Sequence, residues 1–189
     1  MTTRDDILSF LRDPAAFAAT ATDGDLWTEG LDGFTNPSIA RTGDRPLRAA
    51  QEAAWRGLAD QRVGLVLGPP GTGKTHLLSW LITGFGAVRS AHQYPARTLI
   101  TAFTKNAVGN VLDAVAKRQA LHDPTSPNPI FYGAPPNGGL AARVQLLGRG
   151  DEADLAQEIA SGRTVIGATI WSLYRLITSG MLPADDRVP

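Results

Sequence analysis

A chain of 189 residues, 43% of them hydrophobic and 19% charged, is long enough for one folded domain with a real core. The lack of cysteine excludes disulfides and thiolate zinc sites, and it fits a reducing cytoplasm. The 18 basic and 18 acidic side chains balance, and no apolar run approaches the length of a membrane span. Asp5 and Asp6 stand where a secretory leader would need a basic region. The balance is uneven: residues 1–45 hold four Arg against eight Asp and Glu, net −4, and the rest holds fourteen basic against ten acidic, net +4. A mildly basic body is compatible with nucleic acid without requiring it.

In chain order, residues 5–12 predict a short amphipathic helix with acidic residues in its first turn. From Pro14 to Asp44 the Gly/Asp/Thr-rich stretch reads as irregular connection, pinned to the body by Trp27 and Phe34. Pro46 predicts the start of a helix through Arg48, Gln51, Trp55 and Leu58, with Leu47, Ala50, Ala54 and Leu58 on one face. Val63-Gly64-Leu65-Val66-Leu67 is short, apolar and β-prone, and His76 to Ile82 continues as a helix. Gly84 and Gly86 predict a turn. Residues 98–103 read as a strand, and 106–120 as a helix burying Val108, Val111, Leu112 and Val115. Five prolines and three glycines make 121–140 a loop. A short strand at 144–147, a helix at 152–159, a strand at 164–168 and a helix at 171–177 complete the chain. Strands alternating with helices predict an α/β fold, a parallel sheet flanked by helices.

Between the first predicted strand and its helix lies Gly68-Pro69-Pro70-Gly71-Thr72-Gly73-Lys74-Thr75, a complete G-x-x-x-x-G-K-[ST] phosphate-binding loop. The glycines let the backbone curl so that consecutive N–H groups face phosphate oxygens at a helix N-terminus. Lys74 is expected to reach the β/γ-phosphates of ATP and the Thr75 hydroxyl to ligate Mg²⁺, with His76 following directly.

Two further segments carry a family resemblance. Residues 99–111, Leu-Ile-Thr-Ala-Phe-Thr-Lys-Asn-Ala-Val-Gly-Asn-Val, resemble motif Ia of superfamily-1 helicases. They are most similar to the 5′-to-3′ branch that includes the nonsense-mediated-decay RNA helicase, senataxin and related nuclease-helicases. Gln51, 23 positions before Lys74, resembles the glutamine that reads the adenine edge in that family. Thr164-Val165-Ile166-Gly167-Ala168-Thr169 resembles the later strand whose threonine lies near the bound nucleic acid. The similarity spans roughly residues 46–178 and implies a RecA-like motor domain on single-stranded DNA or RNA. In that domain Thr104, Lys105, Asn106 and Thr169 would lie along the strand, holding its backbone without reading sequence. N-capping explains Asn106 equally well, a solvent-facing helix position is the plain alternative for Gln51, and Lys105 is as readily a solvated charge.

Departures from the family pattern set limits. Gly109 stands where Asp is common, and Leu146 where Arg is common two places before Gly148. An apolar strand ending in Asp-Glu, the Walker B element, is missing: Asp151-Glu152 opens a helix and Asp185-Asp186 follows Pro183. The expectation is therefore an incomplete RecA-like domain, with residues 1–45 as an extension and 46–189 as its first part. Such a chain would bind ATP weakly, turn it over little, and need the rest of the motor from the same gene or a second chain. The alternatives are an AAA+ ATPase and a non-hydrolysing nucleotide-binding regulatory module. His76, His92 and His122 are too scattered for a metal site. Trp55, Trp80 and Trp171 read as core, and Tyr94 and Tyr132 as loop residues able to stack on a base.

Overall fold

The computed structural model describes residues 24–59, 61 and 64–178. The helix expected at 5–12, the start of the stretch from Pro14, Val63 and the Asp185-Asp186 pair lie outside them. The expected α/β architecture is present. Helices α1 (Gly24–Glu29), α2 (Asn36–Thr42), α3 (Ala49–Ala59) and α4 (Lys74–Ala91) precede strand β1 (Ala96–Ala102). A π-helical turn, Gly30–Thr35, joins α1 to α2. Then come α5 (Lys105–His122), β2 (Ile130–Tyr132), β3 (Gln145–Leu147), α6 (Glu152–Ala160), β4 (Arg163–Thr169) and α7 (Ile170–Thr178). Every strand pair is parallel, in the order β1-β4-β2-β3.

Sequence explains the layering. Residues 164–168 of β4 are all buried, as a central parallel strand covered on both faces requires. Val165 and Phe131 meet Val108, Leu112 and Val115 of α5 on one face. Ile130, Tyr132, Ile166 and Ala168 meet Leu155 of α6 and Leu176 of α7 on the other. Gly167 makes the first contact close: a Cβ there would lie 2.6 Å from both Val108 Cγ1 and Leu112 Cδ1. A separate core joins Leu31, Ile39, Leu47 and Trp55 to Leu77, Trp80 and Leu81 of α4.

Several expectations are corrected. Residues 24–42 are helical, because Leu31 and Ile39 are buried and tertiary packing overrides weak local propensity. Trp27 and Phe34 do pack on that core, and Trp27 stacks on Phe85 at 4.4 Å. Helix α3 starts at Ala49 rather than Pro46, and it buries Trp55 and Ala59 while Ala50 is exposed. Helix α4 runs straight through Gly84 and Gly86. At Gly84 a Cβ would stand 2.8 Å from the Gly30 carbonyl oxygen, so glycine there permits helix crossing rather than a turn. The proline-rich loop contains β2, whose three residues are all buried. Val111 is only partly buried.

The largest correction concerns the segment before the phosphate loop. Residues 64–69 form no strand, and Leu65 and Leu67 are 82% and 83% exposed. A strand exists only in a pair, and among the described residues none lies beside this one. No described helix is long and apolar enough to cross a membrane.

Candidate nucleotide and strand-end sites

The phosphate loop closes on the N-terminus of α4, the 18-residue helix that Lys74 opens. Gly71 and Gly73 take left-handed φ values of +82° and +85°, which strain any side-chain-bearing residue. Thr72 Oγ1 donates to the Pro69 carbonyl at 2.9 Å and shapes the turn. Lys74 Nζ folds back to donate to the carbonyls of Gly68 and Pro69. Its cation therefore lies within the loop, while Pro70, Gly71 and Thr75 face solvent.

Gln51 reaches across from α3. Its Nε2 donates to the carbonyls of Thr72 (3.3 Å) and Gly73 (3.1 Å), and its Oε1 accepts from the Arg48 N–H at 2.9 Å. The whole amide is engaged in pinning the loop to α3. Beside it lies a cleft of about 230 Å³ walled by Ala50, Ala54, Val66, Leu67 and Leu77. A glycine-rich turn at a helix N-terminus, a lysine within it and an apolar cleft next door fit a nucleotide with Mg²⁺. Lys74 and the loop amides would hold phosphates, and the exposed Thr75 hydroxyl would hold the metal.

His76 is held from below. Arg118 of α5 donates to His76 Nδ1 (2.6 Å), Ser79 Oγ (2.5 Å) and Asp44 Oδ2 (2.9 Å), and its guanidinium lies 4.3 Å over the Trp80 ring. Burial, reinforced by the Arg118 charge, pushes His76 below its ordinary pKa, so the ring is neutral and accepts at Nδ1. Its buried Nε2 finds no partner among the described residues. Burial also lowers His122, which packs against Trp80 at 4.7 Å. Burial pushes Asp44 upward, but the Arg45 N–H and the Arg118 charge outweigh it and hold the carboxyl below its usual range. Scattered residues thus meet in a cluster that sequence gave no sign of, because their partners are 39 to 74 positions apart.

Thr104, Lys105, Asn106 and Thr169 come together at the carboxyl ends of β1 and β4, where Ala102 pairs with Thr169. Thr104, not Asn106, caps α5: its Oγ1 accepts from the Ala107 N–H at 3.2 Å. Asn106 is therefore spared the capping role, and with Lys105 it is exposed. Thr169 Oγ1 bonds Ser172 at the start of α7. This cluster and the phosphate loop do not share one end of the sheet. Arg118, which holds His76, is thirteen residues along α5 from Lys105, about 20 Å along the helix axis.

Two aromatic expectations change. Trp171 is 70% exposed on α7, not core, because Leu176 faces the sheet instead. Tyr132 is buried in β2 and donates to Glu152 Oε1 at 3.2 Å, so it offers no face to a base. Burial and the neighbouring Glu152 raise its pKa. Trp55 and Trp80 are fully buried as expected, and Tyr94 is exposed. Phe103 and Tyr174 are also largely exposed, and the alternation of Trp171/Tyr174 with Leu173/Leu176 is the sequence signal for that outer face of α7.

Among the described residues no cluster of three or more His, Asp or Glu is arranged for a metal ion. Comparison with the curated proteins and with the solved structures gives no match. Residues 46–137, from just before α3 to just past β2, match a family described as an AAA domain. That match, the parallel sheet and the glycine-rich loop at the head of α4 together give the chain the α/β fold of a P-loop NTPase domain.

Proposed function

We propose that this chain is the ATP-binding part of a superfamily-1 helicase or translocase of the 5′-to-3′ branch, working on single-stranded DNA or RNA. The observation that carries the reading is the pairing of two sites through α5. One is a lysine-bearing loop on α4; the other is a hydroxyl, amide and ammonium cluster at the carboxyl ends of β1 and β4. Small donors at strand ends suit a nucleic-acid backbone held without sequence readout.

Within the nucleotide site, Lys74 would leave the carbonyls of Gly68 and Pro69 and turn to the β/γ-phosphates. Gln51 would keep the loop seated on α3 or turn to the base in the adjoining cleft. ATP with Mg²⁺ supplies the phosphoryl group and its charge neutralisation. The carboxylates that hold the metal and orient water are expected from residues beyond those described. Among the described residues Leu65 and Leu67 stand exposed and the outer edge of β1 is unpaired, so strands added there would bury both and bring an Asp-Glu pair near the loop.

A second reading, a nucleotide-binding module without turnover, is favoured by one observation: no described strand ends in Asp-Glu. Binding of a fluorescent ATP analogue with Mg²⁺, followed by ATPase assays with and without single strands, separates the two. The assays are run on this chain and on a version extended by the residues that follow it in the gene. The motor reading expects binding that Lys74→Ala abolishes, and strand-stimulated hydrolysis in the extended protein. Binding without hydrolysis in either form supports the module. No nucleotide binding sinks both.

A further inference from the structure

The chain leaves the sheet at Phe103 after β1 and at Ile170 after β4, side by side, because Ala102 pairs with Thr169. Phe103 is 80% exposed and Tyr174 63% exposed. Trp171 and Tyr174 are three residues apart on α7, so their rings share one face of the helix. The opposite face cannot be exchanged for it, since Ser172 and Leu176 are buried and Leu173 packs on the sheet core. Among the described residues, then, these rings stay on the outer face of α7. A cluster of this kind on a soluble domain marks a binding face.

Charge and chemistry choose the occupant. Residues 103–107 and 170–178 contain no Asp or Glu, and Lys105 and Arg175 are exposed there. Exposed Asn106 adds a neutral amide. Flat rings with cations and amide donors, on two segments that carry no carboxylate, match unpaired bases on a phosphate backbone; an aliphatic protein surface would have no use for the cations. We infer that Trp171 and Tyr174, with Phe103, form a stacking platform for bases of a single-stranded nucleic acid whose phosphates pass Lys105 and Arg175. The inference deepens the proposed function and rests on its placement of the strand at this edge.

Tryptophan fluorescence of the full chain, titrated with a 12-mer of dT or rU, tests it. Trp55 and Trp80 are fully buried and Trp27 is stacked on Phe85, so quenching by the oligonucleotide reads Trp171. Binding of a dye-labelled strand is followed in parallel. Trp171→Ala and Tyr174→Ala should each weaken binding about 5- to 150-fold, the range for losing one stacked base. Trp171→Phe should keep most of the affinity and lose the quench. An unchanged thermal midpoint shows that each variant is folded. If Lys105→Ala weakens binding while both aromatic variants bind as wild type, the strand lies here but the platform is wrong. The aromatic face is then left for a protein partner, and its first candidate, a second copy, would show in sedimentation. If the wild-type chain binds no strand at low salt, both the platform and the strand placement fall.

Discussion

Replacing Arg118 with methionine should destabilise the domain more than any ordinary surface change. Methionine keeps an apolar stem against Trp80 but removes the donors to Asp44, Ser79 and His76. Breaking a buried ion pair costs about 3–5 kcal/mol. Exposed pairs contribute only about 0–1 kcal/mol. The Arg118 side chain is 12% exposed but Asp44 is 31% exposed, and Asp44 keeps the Arg45 N–H at 2.7 Å. The loss should fall between those limits, at about 2–3 kcal/mol. For a chain of this size that lowers Tm by about 4–12 °C, read by circular dichroism. Asp44→Asn and the double variant in the same assay close a double-mutant cycle. Coupling of about 1 kcal/mol or more is expected between the two sites. A Tm within 2 °C of wild type, or simple additivity, would refute the view that this cluster clamps α5 onto α4.

Two other outcomes follow from the packing and the charges. Gly167→Ala should lower stability by about 1–2 kcal/mol in urea unfolding: overpacking against Val108 and Leu112 costs about 1–3 kcal/mol, and the gain from removing a strand glycine is about 0.5–1 kcal/mol. A stabilised variant would show that α5 can lift away freely. Stability should fall as pH drops below about 6.5. Burial holds His76 and His122 below their ordinary value of 6.5, so in that window the unfolded chain takes up protons that the folded chain refuses. Asp44, held below its ordinary 3.8, adds a loss of the same sign under about pH 4. Urea midpoints at pH 7.5 and 5.5 check the histidines, and a higher midpoint at 5.5 would contradict their burial as neutral rings.

How much of this was legible in the sequence depended on whether the signal was local. The phosphate loop, the periodic α5 and the continuous apolar run of β4 carry their own evidence, and each stands within a few residues of its expected limits. Ile130-Phe131-Tyr132 was a readable apolar triplet, but prolines on either side hid it. Residues 24–42 are helical because of what Leu31 and Ile39 bury against, which their neighbours in sequence do not record. Trp171 was misread because a helix with apolar residues on two faces does not announce which one meets the sheet. Residues 64–67 have every strand preference and no strand, since pairing belongs to two segments and sequence describes one. Lys74 and Gln51 stand out by pattern, and the structure brings both to the loop. The Arg118 cluster does not stand out, because nothing local ties Asp44 to a helix 74 positions later.

The missing ladder beside Leu65 and Leu67 changes how the phosphate loop must work. Among the described residues, its leading arm has no backbone partner, so the loop is held through α4, the Lys74 ammonium, the amide of Gln51 and the packing of Val66. Fixing one residue's backbone costs about 1–2 kcal/mol in entropy. A ligand that must immobilise several residues of that arm gives up part of its affinity in doing so. Anything that pairs with the arm beforehand would take over that ordering, so a strand laid against 64–67 would raise nucleotide affinity without touching phosphate.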